Sequence, residues 1–117
     1  MTFLPLTSTR PNMWRGFGLL PWQIVTSNFT AEIGGRYQVD TTDGPVSMTL
    51  PEAMVAGDEI PAIQDAKLTW ATHPLTLIPA TNGLGSVING GSTYTAPVNG
   101  AELSVVAIDN TYGVSVK

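Results

Sequence analysis

The sequence predicts an all-β fold: an antiparallel β-sandwich or jelly-roll-like barrel carrying an extended N-terminal arm. Three observations lead there. Short apolar and polar residues alternate from Gln23 onward, and turn residues interrupt them about every ten positions. No amphipathic stretch of helical length occurs in the 117 residues.

The alternation assigns faces strand by strand. Residues 35–41 place Tyr37 and Val39 on one side and Arg36, Gln38 and Asp40 on the other, and residues 45–50 turn Val46, Met48 and Leu50 inward with Ser47 and Thr49 outward. Between them, Thr42-Asp43-Gly44 is a hairpin signal, because Asp-Gly suits turns that need positive φ. Leu50 to Asp58 has room for one helical turn, with Pro51 at a tolerated first position and Gly57 ending it. Further strands are expected at 59–64, 68–71, 74–79, 86–89, 92–96, 102–108 and 112–116. Their core faces are Leu75 and Leu77, then Leu103, Val105 and Ala107, then Val114 and Val116. Asn82-Gly83, Asn89-Gly90-Gly91 and Asn99-Gly100 read as turns.

Residues 1–22 follow neither period and are read as a docking arm, with residues 23–117 as the body. Pro5, Pro11, Pro21, Gly16 and Gly18 punctuate the arm too often for a helix. It is nonetheless rich in groups that bind other surfaces: Phe3, Leu4, Leu6, Arg10, Met13, Trp14, Arg15, Phe17, Leu19, Leu20 and Trp22 are the expected partner-binding residues. The arginines would pair with acidic or carbonyl groups of the partner. Such a segment gains order only against a surface that repays its lost entropy.

Composition narrows the classes of function. Hydrophobic residues make up 43% of the chain and charged residues 12%, about half the usual charged share, which points to a surface partly covered by other subunits. The net charge of −4 is unevenly spread: residues 1–31 hold Arg10 and Arg15 and no acid, whereas residues 32–117 hold all nine acids against Arg36, Lys67 and Lys117. The balance moves from +2 to −6, without the basic cluster that nucleic acid requires. With no cysteine, disulfides, thiolate catalysis and cysteine-based metal sites are excluded. The proline-broken N-terminus is neither a signal peptide nor a membrane span, so the product is expected to remain in the cytoplasm where it is made. Asn28-Phe29-Thr30, although it fits a glycosylation sequon, is then read as a strand start.

The sequence contains Phe29-Thr30-Ala31, Gly34-Gly35-Arg36-Tyr37, Val39-Asp40-Thr41, Gly44-Pro45-Val46, Thr49-Leu50-Pro51 and Gly57-Asp58, in that order. Downstream come Asp65-Ala66, Pro74 to Leu77, Ile88-Asn89-Gly90 and Gly100 to Leu103. In order and spacing this run, from Phe29 to Val116, resembles a repeat of bacteriophage tail-fibre, tailspike and capsid decoration proteins. The resemblance implies a small β-sandwich used as a virion building unit, often trimeric, without chemistry of its own. Two departures stand out: Tyr112-Gly113-Val114 replaces the Gly-Trp-Val ending common in such repeats, and residues 1–22 lie outside the repeat altogether.

Candidate chemistry is sparse. His73, the only histidine, precedes a strand in Thr-His-Pro and is read as an exposed or packing residue; no Gly-x-Ser-x-Gly elbow accompanies it. Asp40, Asp43, Asp58, Glu59, Asp65 and Asp109 fall at expected strand ends and turns, where oxygen ligands can cage calcium. None has the spacing of a known calcium loop, and the preferred reading is carboxylates that bond their own backbone. No spacing singles out a glycosidase pair. Trp70 is assigned to the core, and Trp14 and Trp22 to the arm as anchors.

The expectation is therefore a non-enzymatic virion structural protein without cofactor, assembled in the host cytoplasm. It would be a capsid decoration or cement protein, built as a homotrimer, that binds the major capsid protein through its arm and oligomer base. The opening Met and the closing strand at Tyr112 to Val116 suggest a complete stand-alone module. Two alternatives stand beside it: a short tail fibre, adaptor or baseplate component bound to tail proteins, and a carbohydrate-binding host-recognition module, which needs exposed aromatics on the body. Neither nucleic acid nor membrane is expected as a partner.

Overall fold

The computed structural model describes residues 20–96 and 98–117. Nine strands form within them: β1 (Trp22–Val25), β2 (Phe29–Thr30), β3 (Arg36–Val39), β4 (Val46–Thr49), β5 (Glu59–Asp65), β6 (Leu75–Ile78), β7 (Tyr94–Ala96), β8 (Glu102–Asp109) and β9 (Gly113–Val116). A single 3-10 turn at Leu84–Ser86 is the only helical element among the described residues.

The fold is all-β, in two mixed sheets of order β1-β3-β5-β8-β9 and β2-β4-β6-β7. An antiparallel fold was expected, and the pairing corrects it. The first six strands alternate between the sheets, so that β1, β3 and β5 run parallel in one and β2, β4 and β6 parallel in the other. Parallel neighbours need a long crossover, and here the crossover is a strand of the opposite sheet. The pairs β5–β8, β6–β7 and β8–β9 are antiparallel.

The expected hairpin at Thr42-Asp43-Gly44 is likewise overturned, since β3 and β4 belong to different sheets. The turn does form, with the Gly44 N–H on the Thr41 carbonyl at 3.2 Å. It carries the chain across the core instead of back along one sheet. Tyr37 and Val39 can then meet Val46 and Met48 from opposite sides, all within one buried cluster.

That cluster draws residues from both sheets and uses the predicted inward faces. Tyr37, Val39, Val46, Met48, Leu50, Leu75, Leu77, Leu103, Val105, Ala107, Val114 and Val116 are all buried. Strand β5 shows why alternation alone misleads: Ile60 and Ile63 are both fully buried, because the register shifts between them at Pro61-Ala62. Proline cannot donate to the ladder, and a bulge in a central strand accommodates it.

Three other expected elements do not form among the described residues. Residues 50–58 make two tight turns in place of a helical turn; Ala53 adopts φ 60°, and the Asp58 carboxylate accepts the Val55 N–H at 2.9 Å, closing the second turn. No strand forms at 68–71, which is a loop wrapped around Asp65. This carboxylate accepts N–H bonds from Thr69 (3.1 Å), Trp70 (3.1 Å) and Gly100 (3.0 Å), with Lys67 more distant at 3.4 Å. Trp70 is fully buried there as predicted, and its indole N–H reaches the Val39 carbonyl at 3.4 Å. Residues 86–89 contribute only isolated bridges from Ile88 to Gly91 and Val114.

Candidate interaction surface

Of the expected partner-binding residues, Phe3, Leu4, Leu6, Arg10, Met13, Trp14, Arg15, Phe17 and Leu19 lie outside the described residues. Leu20 and Trp22 lie within them, and both are joined to the first sheet. The Leu20 N–H donates to the Gly34 carbonyl at 3.0 Å, the Leu20 carbonyl accepts Nε of Arg36 at 2.9 Å, and Trp22 opens β1 opposite Arg36. Pairing with β3 thus begins at the junction with the preceding residues.

Strand β1 is an edge. It pairs with β3 on one side and with no described strand on the other. Two large apolar residues of β1 are exposed, Ile24 at 78% and Trp22 at 41%, beside exposed Gln23. The strand itself contains no charged residue and no proline, the features that usually deter an edge from pairing with another chain. Arg36 stacks its guanidinium 5.1 Å from the Trp22 ring centroid, where its own bond to Leu20 pins it. A cation held over an indole face is attracted by the ring quadrupole, and it occupies a face that a sugar platform would need free.

The register aligns Ile24 with Gln38 of β3 and Gln64 of β5, and Gln64 with Glu102 of β8. The Gln38 amide donates to the Gln64 Oε1, and the Gln64 amide donates to the Glu102 Oε2 at 3.0 Å. This polar row crosses three strands on the outer face and finishes in an exposed carboxylate. The bonds satisfy one another across the row, leaving Ile24 as its apolar end.

A cleft lies at the end of the sheet where β5 begins and β8 finishes. Met54, Val55, Leu84, Ile108 and Asp109 are among its lining residues, and its volume is about 490 Å³. The loops that form it are tied together: the Ala53 N–H donates to Asn82 Oδ1 at 2.8 Å, the Leu84 N–H to the Met54 carbonyl at 2.9 Å, and Thr81 bonds Glu52 through its backbone N–H (3.0 Å) and hydroxyl (2.6 Å). Val55 is 62% exposed and Ile108 44%. Asp109 uses Oδ1 to accept the N–H groups of Thr111 (3.0 Å) and Tyr112 (2.7 Å), and neither bond involves Oδ2.

The other candidate groups serve the fold. His73 Nδ1 lies 2.9 Å from the Thr41 carbonyl; a carbonyl only accepts, so this nitrogen carries the proton. Asp40, Asp58, Asp65 and Asp109 all accept N–H bonds from backbone, as the turn reading expected, whereas Asp43 and Glu59 make no such bond among the described residues. Burial raises the Asp65 carboxyl, but its backbone donors outweigh that effect and hold it below the usual carboxylate range. Among the described residues no three His, Cys, Asp or Glu side chains gather into a metal-binding group. No described helix is long and apolar enough to cross a membrane.

Sequence reading missed Ile24, Val55 and Ile108 as surface groups. A signal was present for Ile108: Leu103, Val105 and Ala107 already fill the inner face of β8, so Val106 and Ile108 must point outward. The outer face of β8 thus passes from polar Glu102 and Ser104 to apolar Val106 and Ile108.

No protein-family model matches the chain, and a search of curated proteins finds no relative.

Proposed function

We propose that the chain is a non-enzymatic structural protein of a bacteriophage virion, a capsid decoration or cement protein whose two sheets pack as a sandwich. In this reading it works as a homotrimer and binds the major capsid protein through residues 1–22 and the adjoining surface. The observation that carries the proposal is the apolar edge β1, with Trp22 and Ile24 exposed where the basic, aromatic-rich leader joins the body. Edges of this kind add strands from other chains. The low charged fraction and the motif run from Phe29 to Gly57-Asp58 support the same reading.

A tail-fibre, adaptor or baseplate role is the second reading. It is favoured by the winding of the chain: parallel strands stack in both sheets from β1 and β2 onward, a geometry that further strands can prolong into a fibre.

Antibody labelling of purified particles from cells that make this protein tests both. Label distributed over the shell, at a copy number matching the capsid lattice, is the expected result. Label confined to the tail, at a few copies per particle, selects the second reading. Particles that lack the protein altogether refute both.

A further inference from the structure

Three Asn-Gly pairs occur in the chain, at Asn82-Gly83, Asn89-Gly90 and Asn99-Gly100, and all of them lie in exposed loops. We propose that Asn82 is a site of spontaneous deamidation, and that the fold holds Asn89 and Asn99 against the same reaction. The inference concerns chemistry within one chain and is independent of the virion reading.

Asparagine amides are thermolabile groups, and the step is intramolecular. The Gly83 nitrogen attacks Cγ of Asn82. An N–Cγ bond forms, the Cγ–Nδ2 bond breaks, and ammonia leaves with the proton that the Gly83 nitrogen gives up. Water then opens the cyclic succinimide at either carbonyl, leaving aspartate or isoaspartate with an added negative charge. Glycine is the successor that permits the attack, because it places no β-carbon beside the attacking nitrogen.

The pairs are alike at the carbon that is attacked. Each asparagine Oδ1 accepts a backbone N–H, from Ala53 at 2.8 Å for Asn82, from Val116 at 2.9 Å for Asn89 and from Ala71 at 2.7 Å for Asn99. Such a donor polarises Cγ in all three. They differ at the nucleophile. The Gly90 N–H donates to the Tyr112 carbonyl at 2.9 Å, and the Gly100 N–H donates to Asp65 Oδ2 at 3.0 Å. The Gly83 N–H has no acceptor among the described residues. To react, Gly90 and Gly100 must first give up a hydrogen bond, and Gly100 must also lose its proton beside a carboxylate, which disfavours the amide anion. Losing the bond alone slows attack by about tenfold. Asn89 is clamped further by its own N–H, which donates to the Val114 carbonyl at 2.8 Å.

Conversion of Asn82 alters the cleft. Gly83 lines it beside Val55 and Leu84, and its packing is so close that a β-carbon there would lie 2.6 Å from the Met54 nitrogen and 2.7 Å from Ala53 Cα. Isoaspartate inserts a methylene into the backbone immediately before this glycine, where there is no room to shift inward. The two loops, joined by the Asn82–Ala53 and Leu84–Met54 bonds, then part.

The test uses the full wild-type chain, held in mildly alkaline buffer either folded or unfolded in urea, with conversion followed by peptide mass mapping. In urea the three asparagines should convert at similar rates. In the folded chain Asn82 should convert about tenfold or more faster than Asn89 and Asn99. In the isoaspartate fraction, the Ala53 and Leu84 amides should exchange hydrogen about tenfold or more faster than in unmodified protein, with Val39 and Val105 unchanged. Conversion of Asn89 or Asn99 as fast as Asn82 in the folded chain would overturn the proposal. So would a folded chain in which Asn82 is inert while the unfolded chain reacts, and unaltered exchange at Ala53 and Leu84 would overturn the opening of the cleft.

Discussion

Gly35 lies directly beneath the ring of Tyr37: a β-carbon at position 35 would sit 2.5 Å from the tyrosine oxygen and 2.6 Å from Cε2. Tyr37 has little freedom to withdraw. It is buried, its ring lies 4.9 Å from that of Phe29, and its hydroxyl accepts the Glu32 N–H at 2.8 Å. The glycine of the Gly34-Gly35-Arg36-Tyr37 run is therefore required by packing, not by backbone angle. Gly35→Ala is expected to destabilise the fold by about 1–3 kcal/mol, the usual cost of overpacking. Urea denaturation measures this, and a smaller penalty for the same change in a Tyr37→Leu background would assign it to the ring.

Asp65 organises the loop that replaces an expected strand. Asp65→Asn keeps the shape but removes the charge and presents an NH₂ group to backbone donors, so a loss on the order of 3 kcal/mol is expected. The pH dependence has a definite sign. The folded carboxyl lies below its ordinary value of 3.8, so its contribution is fully present above that pH and is lost as pH falls through the lower folded value. Wild type should lose stability on acidification below about pH 4 more steeply than Asp65→Asn, and equal slopes would contradict this assignment.

Trp70 fills the space between that loop and the sheets. Trp70→Ala should cost about 3–5 kcal/mol through the cavity it leaves. Trp70→Phe retains most of the apolar contact and should cost far less, chiefly the bond to the Val39 carbonyl. Thermal unfolding of the two variants would separate cavity from hydrogen bond, and similar losses would indicate that the bond matters more than the volume.

Ile24 provides the opposite case, a large apolar residue that the described body leaves in water. Ile24→Lys should change stability by less than about 0.5 kcal/mol while placing a charge on an unguarded edge. On the proposed virion reading, unchanged unfolding together with lost particle association is the expected pair of results. Full association by this variant would remove β1 from the interface.

Inward and outward faces were legible wherever side-chain period decides the outcome. Val46, Met48 and Leu50 point inward and Ser47 and Thr49 do not, because a strand with one buried face must alternate with period two. Leu68 to Ala71 escaped that rule because Asp65 collects donors from Thr69, Trp70 and distant Gly100, and no local pattern announces that a strand-end carboxylate will do so. Of the exposed apolar groups described above, the sequence reading named Trp22 and not Ile24, Val55 or Ile108. Val55 and Ile108 line one cleft across a gap in sequence that the bonds of Gly57 and Asp58 with Ala107 close.

What the sequence determined by itself is where most of the strands lie, 68–71 and 86–89 excepted, and which of their faces seek the core, since both follow from alternation and from turn-forming residues within a few positions. Only the tertiary structure decided which strands pair and in which direction. A turn such as Thr42-Asp43-Gly44 reverses the chain equally well within one sheet or between two. The choice falls to the shared core, where Tyr37 and Val39 bury most completely when Val46 and Met48 approach from the opposite side.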